Sequence, residues 1–178
     1  MEIKAIDVKN LRDMTGAGMM DAKKALAEAE GNVDRAKELL KERGATIAAQ
    51  KAERVATNGV ISSYIHIGNK IGVLVEVNVE TDFVARDERF VAFARDVAVH
   101  VAGMNPKYIS ADEVPASELA EADDKDAYIK EVCLMEQPYV KDSSKTVQQL
   151  VQEQVAHFKE NIQVKRFVRF ELGVVSTC

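Results

Sequence analysis

Between Ile71 and Glu80 the sequence IGVLVEVNVE alternates with period two. Ile71, Val73, Val75, Val77 and Val79 share one face; Gly72, Leu74, Glu76, Asn78 and Glu80 share the other. Successive side chains of a strand point to opposite sides, so this run predicts a strand with one buried face. The preceding run from Val60 to Ile67 is also rich in β-formers, and Gly68-Asn69-Lys70 supplies a short hairpin connection. The run VKRFVRFEL, from Val164 to Leu172, reads as a final strand. Hairpin, helices, strand is an α+β order with a small antiparallel sheet.

The helices expected around that sheet follow a longer period. Phe90, Ala94, Val97, Ala98 and Val101 mark an amphipathic helix, closed by Gly103 and Asn105-Pro106. Ser110 with Glu113 has capping-box spacing. The following acidic region holds at least one helix with Ile129, Val132 and Cys133 inward, ending before Pro138. Thr146 with Gln149 is a second capping-box spacing. It opens a helix that buries Val147, Leu150, Val151, Val155 and Phe158. Upstream, residues 1–54 read as three short helices. Val8, Leu11 and Met14 mark the first, and Gly16 and Gly18 permit a reversal. Ala22, Ala25, Leu26 and Ala29 mark the second, and Gly31-Asn32 turns the chain. Val33, Ala36, Leu39 and Leu40 mark the third, with Gly44 suited to its end and Ala45–Arg54 a helical extension or linker. Two domains are expected, 1–54 and 55–178.

Charge narrows the partners. The net charge is −5, and residues 111–136 hold nine acidic against two basic side chains. A nucleic-acid binder shows a basic face that displaces counterions from phosphates; no such face is readable here. No apolar run approaches the roughly 18 residues of a membrane span, and the start, MEIKAIDVKN, lacks a signal-peptide core. Cys133 and Cys178 lie far apart without a ligand pattern, which fits a reducing compartment. Cytoplasmic residence is the expectation.

The sequence offers little material for catalysis. His66, His100 and His157 are separated and unpaired with cysteine or carboxylate at metal-ligand spacing. No nucleophile elbow, phosphate-binding loop or zinc-protease motif is present. Thr15-Gly16-Ala17-Gly18 follows a helix rather than a strand, so it fails as a dinucleotide loop. No catalytic residue, metal or cofactor is therefore expected. Two patches stand out. Met19 and Met20 follow the glycine turn, either as core caps of a helix start or as an adaptable docking surface. Thr81-Asp82-Phe83-Val84-Ala85-Arg86 stands where the best strand ends. It fits a helix start with Thr81 or Asp82 as N-cap and Phe83 stapled into the core. It equally fits a rigid mount for an acidic group and an aromatic wedge.

Together VKNLRDMTGAGMMDAKKAL, GNVDRAKELLKERG, ETDFVAR, QPYVKD and RFVRFELG resemble translation elongation factor Ts of bacterial type, in order and over nearly the whole chain. The resemblance implies an N-terminal ubiquitin-associated-like three-helix docking domain and a core, or dimerisation, domain. It implies guanine-nucleotide exchange on the GTPase elongation factor Tu, without covalent catalysis. It places Arg12, Met19 and Met20 against a helix of that GTPase. It places Thr81, Asp82, Phe83 and Val84 beside its Mg²⁺ and phosphate site. His100, in His-Val-Ala followed by Pro106, matches a motif that longer members also show in a second subdomain, and is carried as a partner contact. With room for about one core subdomain, the chain resembles the short form, in which two chains pair. A homodimer is therefore expected, resting on burial rather than on a Cys178 disulfide. The alternative is a helical docking module for ubiquitin-like or nascent-chain partners.

Overall fold

The computed structural model describes residues 3–174, and Cys178 lies outside them. The chain forms two compact units. One comprises residues up to Val55 together with Val151–Asn161, and the other Ala56–Leu150 together with the chain from Ile162. The sequence reading had placed 151–161 with the core.

The first unit opens with α1 (Ala5–Thr15), α2 (Met19–Glu28) and α3 (Val33–Lys51). α1 stops at Gly16, whose φ of 68° is left-handed and whose N–H reaches back to Arg12 O. Asn32 caps α3 by accepting from Arg35 N–H at 3.0 Å. Val8, Leu11, Ala22, Ala25, Leu26, Ala29 and Ala36 form the core, edged by Ile3, Val33, Leu39 and Leu40. Four alanines in that set keep the helices close. Gly44 does not end α3, contrary to expectation: the helix runs seven residues further, to Lys51. Gly44 is buried in mid-helix, where an added Cβ would stand 3.8 Å from Ala156 Cβ. That is ordinary van der Waals contact, so this glycine neither ends the helix nor is required by its packing. Asn161, also buried, donates to Ala52 O and Arg54 O at 3.2 and 2.7 Å, tying down the chain beyond α3.

The second unit is built on β1 (Asn58–Ile65), β2 (Ile71–Val79) and β5 (Ile162–Glu171), all antiparallel with β2 in the centre. Val73, Val75, Val77 and Val79 are buried, as their alternation requires. β1 begins at Asn58-Gly59. Gly59 has φ 152°, and a Cβ there would fall 2.2 Å from Val77 O, so only glycine fits the pairing. α5 (Glu88–Met104) packs on all three strands, with Phe90, Phe93, Ala94, Val97, Ala98 and Val101 inward. Its stop is Asn105, left-handed at φ 48°, while Gly103 stays inside the helix.

The acidic stretch forms two short helices, α6 (Ala116–Glu121) and α7 (Lys125–Val132). Val114, Val132 and Cys133 make a small core beneath them. Tyr108 and Tyr128 both donate their hydroxyls to Glu118, which pins α6 to α7. Those bonds hold the Glu118 carboxyl below the usual carboxylate range and push the Tyr128 hydroxyl up to about 12. Glu113 does not close a capping box on Ser110; it accepts from Ile109 N–H at 2.9 Å over a single 3₁₀ turn. The second box is formed: Gln149 N–H donates to Thr146 Oγ1 at 3.2 Å, and Thr146 N–H to Gln149 Oε1 at 3.0 Å, opening α8 (Val147–Phe158). A hairpin of β3 (Pro138–Tyr139) and β4 (Asp142–Thr146) precedes it. No helix among the described residues is long and apolar enough to cross a membrane.

Candidate docking site

α4 (Asp82–Ala85) is a single helical turn between the end of β2 and the start of α5. Thr81 is its N-cap, accepting from Val84 N–H at 3.3 Å. Asp87 then caps α5 by accepting from Arg89 N–H at 2.8 Å. Val84 and Ala85 are buried and anchor the turn. Both readings of this motif are therefore half satisfied. Thr81 caps a helix, yet Phe83 is no staple: its ring is 82% exposed. Asp82 is also exposed, and its carboxylate lies 3.0 Å from the Arg86 guanidinium. The turn is held by its cap and its two inward residues while the phenyl ring stands in solvent.

In the first unit Met19 and Met20 are 48% and 63% exposed, and Arg12 is exposed on α1. Gly18 sets this geometry by starting α2 from extended backbone, and Ala22, one turn on, fills the core position. The methionines are thus surface rather than core caps.

His100 departs from its expected place. It is 0% exposed on the inward side of α5. Its Nε2–H donates to Gln137 Oε1 at 2.9 Å, and its Nδ1 accepts from Val140 N–H at 3.1 Å. The Tyr139 ring stacks at 6.1 Å, and Tyr139 donates its hydroxyl to Asp96 at 3.0 Å. His100 therefore ties the β3–β4 hairpin to α5 and offers no surface to a partner. Both nitrogens are committed as a neutral imidazole, because protonating Nδ1 would set two donors against each other. Burial likewise pushes its pKa below the ordinary 6.5. A base with a depressed folded pKa binds fewer protons folded than unfolded, so its stabilisation is complete above about pH 6.5 and lost as pH falls toward the folded value. Urea unfolding at pH 7.5 and 5.5 is expected to show lower stability at 5.5. In His100→Gln, weaker overall, the dependence between those values should be shallower.

Residue reading missed one surface. The rows Ile65–Gly72–Phe170, Ser63–Leu74–Val168 and Ile61–Glu76–Arg166 run across the sheet on the side away from α5. Ile61, Ile65, Leu74, Val168 and Phe170 are all exposed there. An ion pair of Arg166 with Glu76, at 2.7 Å, borders them. The signal was present in the sequence: the outer strands carry apolar residues at both parities.

Contiguous apolar side chains exposed on ordered backbone are the kind of surface that protein interfaces cover. Among the described residues no group of three or more histidine, cysteine or acidic side chains is placed to hold a metal ion. The family model described as Elongation factor TS matches residues 8–127 and 124–174. Curated relatives named Elongation factor Ts agree. The protein from Acetivibrio thermocellus is 47% identical, covering 93% of this chain and 88% of its own length. Those from Desulforamulus reducens and Geobacter sulfurreducens are 46% and 45% identical, over 97% of this chain and 90% and 91% of theirs. The chain belongs to the elongation factor Ts family, factors of protein-synthesis elongation.

Proposed function

We propose that this protein is a guanine-nucleotide exchange factor that accelerates GDP release from the GTPase elongation factor Tu, acting in the cytoplasm without covalent chemistry of its own. The observation that carries the reading is Phe83, an exposed phenyl on a capped, anchored turn. Mg²⁺ on the GTPase bridges phosphate oxygens and neutralises their charge, so disturbing its ligands weakens nucleotide binding. Phe83 inserts between helices beside that site, and Asp82 competes for groups that organise the metal. Thr81 and Val84 hold the turn. The coupling is reciprocal: the factor loosens GDP as much as GDP loosens the factor. Incoming GTP then ejects the factor, and nothing is consumed. Fluorescent GDP release from elongation factor Tu, followed by stopped flow, tests this.

In this reading Arg12, Met19 and Met20 anchor the first unit on the partner. Changing Met19 and Met20 to glutamine is expected to weaken binding mainly through faster dissociation. The release rate at saturating factor should fall much less. A collapsed saturating rate with unchanged affinity would remove the anchor role.

The outward sheet face supports a homodimer. Five exposed apolar side chains gathered on one ordered face make an apolar centre that a self-complementary, twofold interface would cover. Light scattering at micromolar concentration is expected to give twice the chain mass. Leu74→Lys, placing a charge at the middle of that face, should give a folded monomer. A wild-type monomer at that concentration counts against the pairing.

A further inference from the structure

The turn that carries Phe83 also carries an ion pair to which the wedge assigns no role. Asp82 and Arg86 lie one helical turn apart, their charged groups at 3.0 Å, and with Phe83 and Asp87 they line a shallow open cleft. Both are exposed, and an exposed pair of this spacing adds little to stability and is screened by salt. The turn does not need it: Thr81 caps one end, Asp87 turns to Arg89 N–H, and Val84 and Ala85 are buried. The pair instead chooses a side-chain orientation. An aspartate at the first position of an exposed helix has several staggered rotamers open to it. A planar guanidinium held across one turn selects among them. Displacing water at an interface then strengthens whatever charge geometry has been set beforehand.

We propose that Arg86 is a positioning residue for nucleotide exchange, holding the Asp82 carboxylate beside Phe83 in the orientation that meets the GTPase. This rests on the wedge reading above. Arg86 acts through Asp82, so its removal matters only while that carboxylate is present.

The test is a double-mutant cycle on saturating GDP release with Asp82→Ala, Arg86→Ala and the double variant, beside Arg86→Lys and Phe83→Ala, with a melting curve for each. Arg86→Ala is expected to lower the rate about three- to tenfold, a modest coupling for a close charge pair at an interface. It should cause no further loss on top of Asp82→Ala. Arg86→Lys, which keeps the charge and loses the fork, should recover part of the rate, and no melting temperature should move. Three outcomes overturn the inference while leaving the wedge intact. They are a normal rate in Arg86→Ala, an equal fold-loss in both backgrounds, or a loss that tracks a lowered melting temperature. Normal rates in both Asp82→Ala and Phe83→Ala would overturn the wedge and this inference together.

Discussion

Phe83→Ala is expected to lower accelerated GDP release by roughly 10- to 100-fold, equivalent to ~1.4–2.8 kcal/mol at an interface hot spot. Its melting curve should barely change. The ring is mostly in solvent, so removing it uncovers no cavity and strands no polar group. The cap from Thr81 and the buried Val84 and Ala85 remain to shape the turn. Asp82→Ala should act in the same direction. Its effect should shrink when Mg²⁺ is chelated, because the metal it disturbs has then already left the GTPase. Stopped-flow release and thermal unfolding on the same preparations check both parts. A stability loss with normal exchange per folded molecule would make Phe83 a structural residue.

Phe90→Ala is expected to do the reverse. Seven residues further along, this ring is 0% exposed, within the α5 face that covers the sheet, and tilted at 6.3 Å from the Phe93 ring. Truncation there loses the transfer free energy of the ring and leaves a cavity that a closely packed layer fills poorly. A cost of about 3–5 kcal/mol follows, measured by urea unfolding at fixed protein concentration, since pairing would couple stability to concentration. Well below its midpoint the folded variant should still accelerate GDP release within a few-fold of wild type. The two phenylalanines separate wedge from core.

Much of this architecture was legible because the period of the apolar residues was unambiguous. β2 alternates without a break along its inward face, and α5 keeps its stripe for three turns. Thr146 with Gln149 was a sound helix start because both bonds of the box could form locally. Gly44 misled because a glycine marks a helix end only when its φ turns positive, whereas this one keeps helical backbone in the middle of α3. Ser110 and Glu113 had the right spacing, but a single 3₁₀ turn gave them no helix to cap. The β3–β4 hairpin escaped because two- and five-residue strands carry almost no periodicity. At the site, Thr81 was readable as a cap, but composition could not choose between a stapled and a projecting Phe83. His100 was misplaced because a motif match carries no information about burial. Its real role depends on Gln137 and Val140, some forty residues on.

The most direct measurement is stopped-flow release of fluorescent GDP from elongation factor Tu, with and without saturating amounts of this protein, in Mg²⁺ and again with the metal chelated. Release is expected to rise by orders of magnitude in Mg²⁺, with a smaller relative gain once the metal is gone. A release rate that does not change on adding the protein, while the two proteins still bind each other, would contradict the exchange role and leave a docking module.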